Sequence, residues 1–236
     1  MDFSKFYITS DLHFDHKNII KYCNRPYEFS LEGVAKMNED ILKQFDELPA
    51  GSTIINLGDI NLNPLLKFDK LKEFVDKMKE NDKKLWIVLG NHDREMNRKV
   101  KDLKRFETPY DLFIALGFDR VFPFPILLEG KYLLSHEPVY LGKEPVINCI
   151  AGHTHDISLS DNYFCHECEN FAMMQRVKEE GITKQTNIDV DTEKISKPEL
   201  IINPAYYFNA CWDKHHKILP FSEVVSYFEK LRVHTN

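Results

Sequence analysis

The strongest constraint on the fold of this chain is a set of five short polar blocks, four of which directly follow a short apolar run. The blocks are Asp11-Leu12-His13, Gly58-Asp59, Gly90-Asn91-His92-Asp93, Ser135-His136-Glu137 and Gly152-His153-Thr154-His155. Short apolar runs bounded by turn residues are typical of buried strands. Because α/β proteins assemble their sites at the carboxyl ends of strands, we expect the blocks to lie close together.

The segments between the blocks indicate an α/β protein. Strands are predicted at 6–9, 53–57 and 85–89, and amphipathic helices at 31–48 and 65–79, where apolar residues recur at helical spacing. This alternation predicts a largely parallel sheet covered by helices. The second half is poorer in helices, with strands predicted at 131–134, 146–150 and 206–211 and a helix from about Ser222.

The length of 236 residues is compatible with one domain, residues 1–236, with a variable insertion at about 156–204. A hydrophobic content of 43% and a charged content of 29% are those of an ordinary globular protein. No segment reaches the roughly 18 apolar residues that a membrane span requires, so no membrane partner is expected. Five cysteines without a framework spacing, and an N-terminus unlike a signal peptide, favour a cytoplasmic protein.

The residue types in the blocks suit divalent cations. Carboxylates, an amide and imidazoles are ligands that Mn²⁺, Fe²⁺ and Zn²⁺ accept. Asp11 and His13 are two positions apart, and so are His153 and His155, so each pair can face one pocket from an extended segment. The blocks therefore predict a site for two cations and a phosphate ester.

Taken in order, the blocks resemble the pattern of the calcineurin-like metallophosphoesterases. That pattern is D-x-H, G-D, G-N-H-D/E, an isolated H and G-H-x-H, and every element is present between residues 8 and 155. The resemblance implies an α/β fold, a four-layer α/β/β/α sandwich of two mixed β-sheets flanked by helices. It also implies a metal-dependent hydrolase of phosphomonoesters or phosphodiesters.

The resemblance further implies a role for each matching residue. One metal ion would be held by Asp11, His13, Asp59 and His155, and the other by Asp59, Asn91, His136 and His153. A water bridging the two ions would attack phosphorus. His92 would be the general acid that protonates the leaving oxygen, with Asp93 orienting its ring. The two divalent ions are expected to be Mn²⁺, with Fe, Zn and Ni as alternatives.

Two further residues in the first loop are candidates for substrate contact. His16 and Arg25 lie in stretches that resemble the D-L-H-F-x-H-K-N-I-I and N-R-P segments of small phosphoesterases in the same family. Both could reach the substrate phosphate, since arginine forks suit phosphate oxygens. In the alternative interpretation, His16 caps a helix and Arg25 pairs with a surface carboxylate.

The substrate is less constrained than the chemistry. A small phosphate ester or nucleotide is expected, and a nuclease, a nucleotide pyrophosphatase and an inactive metal-binding scaffold are the alternatives. A basic stripe of Arg94, Arg98, Lys101 and Arg105 favours nucleic acid, but a net charge of −6 opposes it and a solvated helix face is the commoner explanation. Oligomeric state is left open.

A second metal motif is suggested by Cys165 and Cys168, which are separated by His166 and Glu167. A structural zinc site needs four ligands, which Cys211, His215 and His216 could complete only at an unusual spacing. We therefore favour an exposed loop with two reduced thiols over a zinc site.

Overall fold

Three neighbouring parallel strands end at the same edge of the first of two β-sheets. The computed structural model describes residues 3–62, 64–95, 106–139, 141, 145–155 and 206–233. The first sheet consists of β1 (Phe6–Thr9), β2 (Thr53–Asn56), β3 (Lys84–Val88), β4 (Arg120–Phe122) and β9 (Leu219–Pro220), in the order β4-β3-β2-β1-β9. Strands β1 to β4 are parallel to one another, and β9 is antiparallel to β1.

The second sheet is also mixed. It consists of β5 (Ile126–Leu128), β6 (Tyr132–Ser135), β7 (Asn148–Ala151) and β8 (Tyr207–Asn209), which lie in chain order across the sheet. Strand β5 is antiparallel to β6, whereas β6, β7 and β8 are parallel. Three strands of this sheet therefore also end at one edge.

Helices flank the sheets. They are α1 (Lys17–Tyr22), α2 (Leu31–Glu47), α3 (Phe68–Glu80), α4 (Asn91–Glu95), α5 (Pro109–Leu116), α6 (Trp212–His215) and α7 (Phe221–Val233). Helix α2 begins after Ser30, whose hydroxyl accepts a hydrogen bond from the Gly33 N–H at 3.0 Å. Helix α5 begins with a capping box between Thr108 and Asp111.

Both faces of the first sheet are buried, which explains why its strands read as continuous apolar runs. Along β2, Ile54 belongs to the core shared with α2, α3 and α5, and Ile55 belongs to the core shared with the second sheet. Ile150 and Phe208 are the opposing contributions of the second sheet to that core, which α7 completes with Phe221, Val224 and Phe228. The predicted α/β sandwich of two mixed sheets flanked by helices is confirmed.

Some predicted boundaries differ from the structure. The helix predicted at 65–79 begins at Phe68, and the last helix begins at Phe221 directly after β9, so Ser222 lies in its first turn rather than at its cap. Leu31 was expected on the buried face of α2 but is 76% exposed, because it directly follows the Ser30 cap and precedes the inward-facing stripe. Strands β4, β5 and β9 are too short for a periodic pattern.

The predicted insertion at 156–204 lies outside the described residues, as do Arg98, Lys101 and Arg105 of the basic stripe. The same holds for Cys165 and Cys168. Among the helices that the structure describes, none has the length and apolar character to cross a membrane.

Candidate metal centre

The two sheets bring seven predicted ligands to one place. Strands β1, β2 and β3 end beside one another and lead into Asp11, Asp59 and Asn91, while β6 and β7 lead into His136 and His153. Backbone hydrogen bonds join the loops that follow these strands. The Asp11 N–H donates to the Gly58 carbonyl at 3.0 Å, and the His13 N–H donates to the Asp59 carbonyl at 3.0 Å.

The first ligand group consists of Asp11, His13 and His155, with Asp59 beside them. His13 Nε2 lies 3.9 Å from Asp11 Oδ1 and 3.9 Å from Asp59 Oδ2, and His155 Nε2 lies 3.9 Å from Asp11 Oδ1. Neither ring nitrogen of His13 nor Asp11 Oδ1 has a hydrogen-bond partner, although all three atoms are buried. Burial lowers the pKa of His13 to about 3, so its imidazole is neutral. Buried acceptors that face one another across such gaps fit a metal cation.

The second ligand group consists of Asn91, His136 and His153, again with Asp59 beside them. His136 Nδ1 lies 2.7 Å from the Leu57 carbonyl, to which it can only donate. The other ring nitrogen, Nε2, faces two acceptors, Asn91 Oδ1 at 2.8 Å and Asp59 Oδ2 at 3.4 Å, and lies 3.2 Å from His153 Nδ1. A backbone carbonyl that fixes the orientation of a ligand imidazole is a recurrent feature of metal sites.

Asp59 connects the two ligand groups. Its Oδ2 atom lies 3.9 Å from His13 Nε2 on one side and 3.4 Å from His136 Nε2 on the other. Its second oxygen, Oδ1, accepts a hydrogen bond from the His92 N–H at 3.1 Å, which fixes the carboxylate plane. The Asp59 side chain therefore lies between the two ligand groups.

The electrostatics of the site favour a positive charge among these acceptors. Burial opposes protonation of His136, but the Asp59 and Asp11 carboxylates outweigh it and raise the His136 pKa to about 9. Burial also opposes protonation of His155, but a hydrogen bond to Asp213 outweighs it and raises the His155 pKa to about 11. Without metal, protons occupy positions that cations would take, and metal binding would displace them.

Five of the predicted ligands have a strained backbone. Asp11, His13, Asp59, His153 and His155 have φ values between 50° and 68°, in the left-handed region. For a residue with a Cβ atom, this conformation costs about 1–2 kcal/mol. The cost is tolerated because neighbouring groups hold each loop; for example, the His153 N–H donates to Asp11 Oδ2 at 2.8 Å. Strain concentrated in one loop cluster is typical of functional sites.

Gly90 is required by the close approach of the two ligand loops. A Cβ atom at this position would overlap Asp59 Oδ1 and lie 2.7 Å from the Asp59 nitrogen. We expect Gly90→Ala to displace the Asp59 carboxylate and to weaken metal binding at least about 10-fold, as measured by calorimetric titration, because overpacking costs about 1–3 kcal/mol. The control is Gly130→Ala in the turn between β5 and β6, whose added methyl meets no atom within 4 Å but whose φ of 66° also disfavours a Cβ atom, so that it measures backbone strain away from the ligands. Equal metal affinity in the two variants would contradict this prediction.

His92 and Asp93 lie beside the ligands but are not paired with each other as expected. His92 Nε2 lies 3.9 Å from Asp59 Oδ2, and its ring, 35% exposed, lines an open cleft. Asp93 Oδ2 accepts hydrogen bonds from the N–H groups of Gly90 at 2.9 Å and Asp59 at 2.8 Å, while Oδ1 has no hydrogen-bond partner. Asp93 therefore joins the ligand loops, and the prediction that it orients the His92 ring does not match this geometry.

An open cleft of about 430 Å³ lies over the site, a volume suited to a small molecule. His13, His16, His92 and His155 line one part of it, and Tyr22 and Leu62 line another. His16 is the N-cap residue of α1, as in the alternative interpretation, but its side chain makes no capping hydrogen bond.

Arg25 lies elsewhere than predicted. Its side chain is fully buried and pairs with Asp213, with Nε 2.6 Å from Oδ1 and Nη2 2.9 Å from Oδ2. The guanidinium is thus bound below the ligand loop rather than presented to the cleft, and the expected phosphate contact does not match its position. The partner is a buried carboxylate, not the surface carboxylate of the alternative interpretation.

The sequence interpretation missed residues in β8 and α6 that support the ligands. Asp213 Oδ2 lies 2.8 Å from His155 Nδ1, and Asn209 Nδ2 donates to the His155 carbonyl at 2.9 Å. Cys211, considered above as a zinc ligand, donates instead to Asp11 Oδ2 at 3.2 Å. The available signal was the strand predicted at 206–211, which contains Asn209 and Cys211 and precedes Asp213. Arg94 of the basic stripe pairs with Glu137 at 2.7 Å.

Similar proteins were found by sequence and by structure. An uncharacterized protein of Methanocaldococcus jannaschii, MJ1445, is 34% identical over 95 residues, which is 40% of this chain and 49% of that protein. The match thus spans about half the length of this relative. A crystal structure of a protein of unknown function from Aquifex aeolicus, AQ665, superposes over 94% of this chain and 97% of that chain with a TM-score of 0.47 and 18% identity.

The family assignment comes from a family model. The model of the calcineurin-like phosphoesterases matches residues 4–166, which contain all five polar blocks and both ligand groups. This chain therefore belongs to the calcineurin-like phosphoesterase family.

Proposed function

We propose that this protein is a phosphoesterase that depends on two divalent metal ions and hydrolyses a phosphomonoester or phosphodiester. The observation that supports this most directly is the position of Asp59 Oδ2 between His13 Nε2 at 3.9 Å and His136 Nε2 at 3.4 Å. Family membership supports metal-dependent phosphoester hydrolysis in general. A metal-binding scaffold without activity is the alternative that the experiment below tests.

The chain's own residues would divide the work. The first ligand group with Asp59 would hold one ion, and the second ligand group with Asp59 would hold the other. When bound, two cations supply Lewis acidity toward phosphoryl oxygens and lower the pKa of water. Mn²⁺ is the proposed ion, with Fe, Zn and Ni as alternatives that share these ligands.

We assign the role of general acid to His92. Its ring faces the cleft and is partly exposed, so it can reach an oxygen of a bound ester. Its Nε2 atom lies near the Asp59 carboxylate, at 3.9 Å, on the side where the two ligand groups meet. A proton delivered from this position would neutralise the leaving oxygen as the P–O bond breaks. His16 is proposed to contact the substrate from the same cleft.

The proposed substrate is a small phosphate ester or a nucleotide. The cleft volume of about 430 Å³ suits a molecule of this size, and Tyr22 and Leu62 provide apolar surface for its organic part. Within the part of the chain that the structure describes, Arg94, which begins the predicted basic stripe, is paired with Glu137. Nothing in these contacts favours a nucleic-acid polymer over a small ester.

The test is a substrate panel with the protein stripped by a chelator and then reloaded. The panel contains aryl and alkyl phosphomonoesters, linear and cyclic phosphodiesters, dinucleotides and short oligonucleotides, each assayed with and without Mn²⁺. We expect hydrolysis only after Mn²⁺ is added, with binding of two ions per chain by elemental analysis. Two bound ions without turnover of any substrate would support the inactive scaffold instead.

A further inference from the structure

We propose that Arg25 and Asp213 are positioning residues for the first ligand group alone, so that they set the affinity of one of the two metal ions. This inference rests on the proposed function, because it assumes that both ligand groups bind a metal. Neither residue is one of the seven predicted ligands, although Asp213 also forms, with Cys23 and His155, a group that could hold a metal ion. Both act through the atoms that Asp11, His13 and His155 need to keep in place.

Asp213 orients the His155 ring. Asp213 Oδ2 lies 2.8 Å from His155 Nδ1, so Nδ1 donates the hydrogen and Nε2 is left to face Asp11 Oδ1 at 3.9 Å. A carboxylate in this position selects the tautomer and the ring orientation of a ligand imidazole. Without Asp213, the His155 ring would be free to rotate or to take the other tautomer.

Arg25 fixes the loop that carries Asp11 and His13. Arg25 Nη2 donates to the Asp11 carbonyl at 2.8 Å, and Nη1 donates to the Leu12 carbonyl at 2.8 Å. Both Asp11 and His13 have left-handed backbone, with φ values of 56° and 50°, which only surrounding contacts can maintain. The guanidinium thus fixes the peptide groups between the two ligands.

Arg25 and Asp213 are also joined to each other. Arg25 and Asp213 form a two-point ion pair whose side chains are both fully buried, and the guanidinium also lies over the Trp212 ring at 5.0 Å. A planar fork that binds two carboxylate oxygens and two carbonyls has a single geometry. One rigid unit therefore links all three members of the first ligand group.

The rings of the second ligand group are oriented by contacts that involve neither Arg25 nor Asp213, although the His153 N–H donates to Asp11 Oδ2 at 2.8 Å. His136 Nδ1 donates to the Leu57 carbonyl at 2.7 Å, and His136 Nε2 and His153 Nδ1 both face Asn91 Oδ1, at 2.8 Å and 3.1 Å. Leu57 follows β2 and Asn91 follows β3. Loss of the Arg25–Asp213 unit should therefore weaken one metal site and leave the other intact, which a general loss of structure would not do.

The experiment measures the binding of Mn²⁺ to full-length Asp213→Asn and Arg25→Lys by calorimetric titration and elemental analysis. Asparagine keeps the shape of Asp213 but not its charge, and lysine keeps the charge of Arg25 but not its fork. We expect one Mn²⁺ to bind about 10–100-fold more weakly in each variant, with the other within about threefold of wild type. The control is Arg120→Lys, which changes an arginine that lies over the Trp86 ring.

Two double variants show which metal site is affected. In a protein that carries His153→Asn, which disables the second ligand group, adding Asp213→Asn should weaken the binding of the remaining Mn²⁺ ion. In a protein that carries His13→Asn, which disables the first ligand group, adding Asp213→Asn should leave the affinity for the remaining Mn²⁺ ion unchanged. Melting temperatures without metal show whether each variant folds. If wild type binds fewer than two ions, the proposed function fails. If wild type binds two ions and the variants bind both as tightly, or lose both equally, this inference is wrong.

Discussion

Replacement of His92 by asparagine is expected to reduce kcat about 10²–10⁴-fold for a substrate with a poor leaving group while leaving both metal ions bound. The range is that of a lost general acid. His92 is partly exposed in the cleft, and its Nε2 atom lies 3.9 Å from Asp59 Oδ2. It therefore lies next to the two ligand groups but belongs to neither. The contact it makes with Asp59 Oδ1 uses the backbone N–H, which asparagine retains.

The measurement compares an alkyl ester with a nitrophenyl ester. A nitrophenolate leaves without protonation, so His92→Asn should lose much less activity on the nitrophenyl ester than on the alkyl ester. Elemental analysis of the same samples should return the wild-type metal content. His216→Asn is the matched control, because His216 is exposed and its φ of 52° suits asparagine. That variant should retain wild-type activity on both substrates.

Two results would contradict the assignment of the acid. Equal losses on both esters would mean that His92 acts on binding or on the metal ions rather than on the leaving group. Loss of a metal ion would mean that His92 is a ligand. The ratio of the kcat loss on the alkyl ester to the kcat loss on the nitrophenyl ester, rather than either loss alone, identifies His92 as the general acid.

Much of the site could be predicted because its residues lie at strand ends. Asp11, Asp59 and Asn91 follow three short apolar runs, and parallel strands place their carboxyl ends side by side, as observed in β1, β2 and β3. His136 and His153 follow β6 and β7 in the same way. A local pattern was sufficient here because each ligand is attached to the strand that positions it.

The supporting residues could not be predicted in this way. Arg25 and Asp213 are 188 positions apart, and no local pattern pairs a loop arginine with a carboxylate in a four-residue helix. The motif suggested that Arg25 faces phosphate, whereas its burial and its two-point contact with Asp213 place it under the ligand loop. The resemblance implied that Asp93 orients the His92 ring, whereas Asp93 Oδ2 accepts hydrogen bonds from the backbone N–H groups of Asp59 and Gly90, which the motif does not encode.

Replacement of Asp59 by asparagine is expected to abolish binding of both metal ions and to reduce kcat/KM by about 10³-fold or more. Asp59 Oδ2 faces nitrogens of both ligand groups, His13 at 3.9 Å and His136 at 3.4 Å, so both would lose the same negative charge. The charge stabilisation that bound cations provide is worth several kcal/mol, and each 1.36 kcal/mol changes the rate about 10-fold.

The decisive measurement is thermal unfolding with and without Mn²⁺, because it does not depend on turnover. At a free ion concentration 100 times its Kd, each bound ion stabilises the folded state by about 2.7 kcal/mol, so wild type should melt several degrees higher with Mn²⁺. Asp59→Asn should show no such rise, although it should fold without metal. Burial, together with repulsion from the Asp59 carboxylate, raises the pKa of Asp93 to about 7, and the substitution removes that repulsion.

The control for this prediction is Asp119→Asn, the same chemical change at the opposite end of the first sheet. Asp119 Oδ2 accepts a hydrogen bond from the Leu85 N–H at 2.7 Å, at the start of β3 rather than at the end that leads to Asn91. This variant should keep the full rise in melting temperature with Mn²⁺. If Asp59→Asn still binds one ion with wild-type affinity, Asp59 is a ligand of a single site and the two groups are independent, because a shared carboxylate cannot be removed from one ion only.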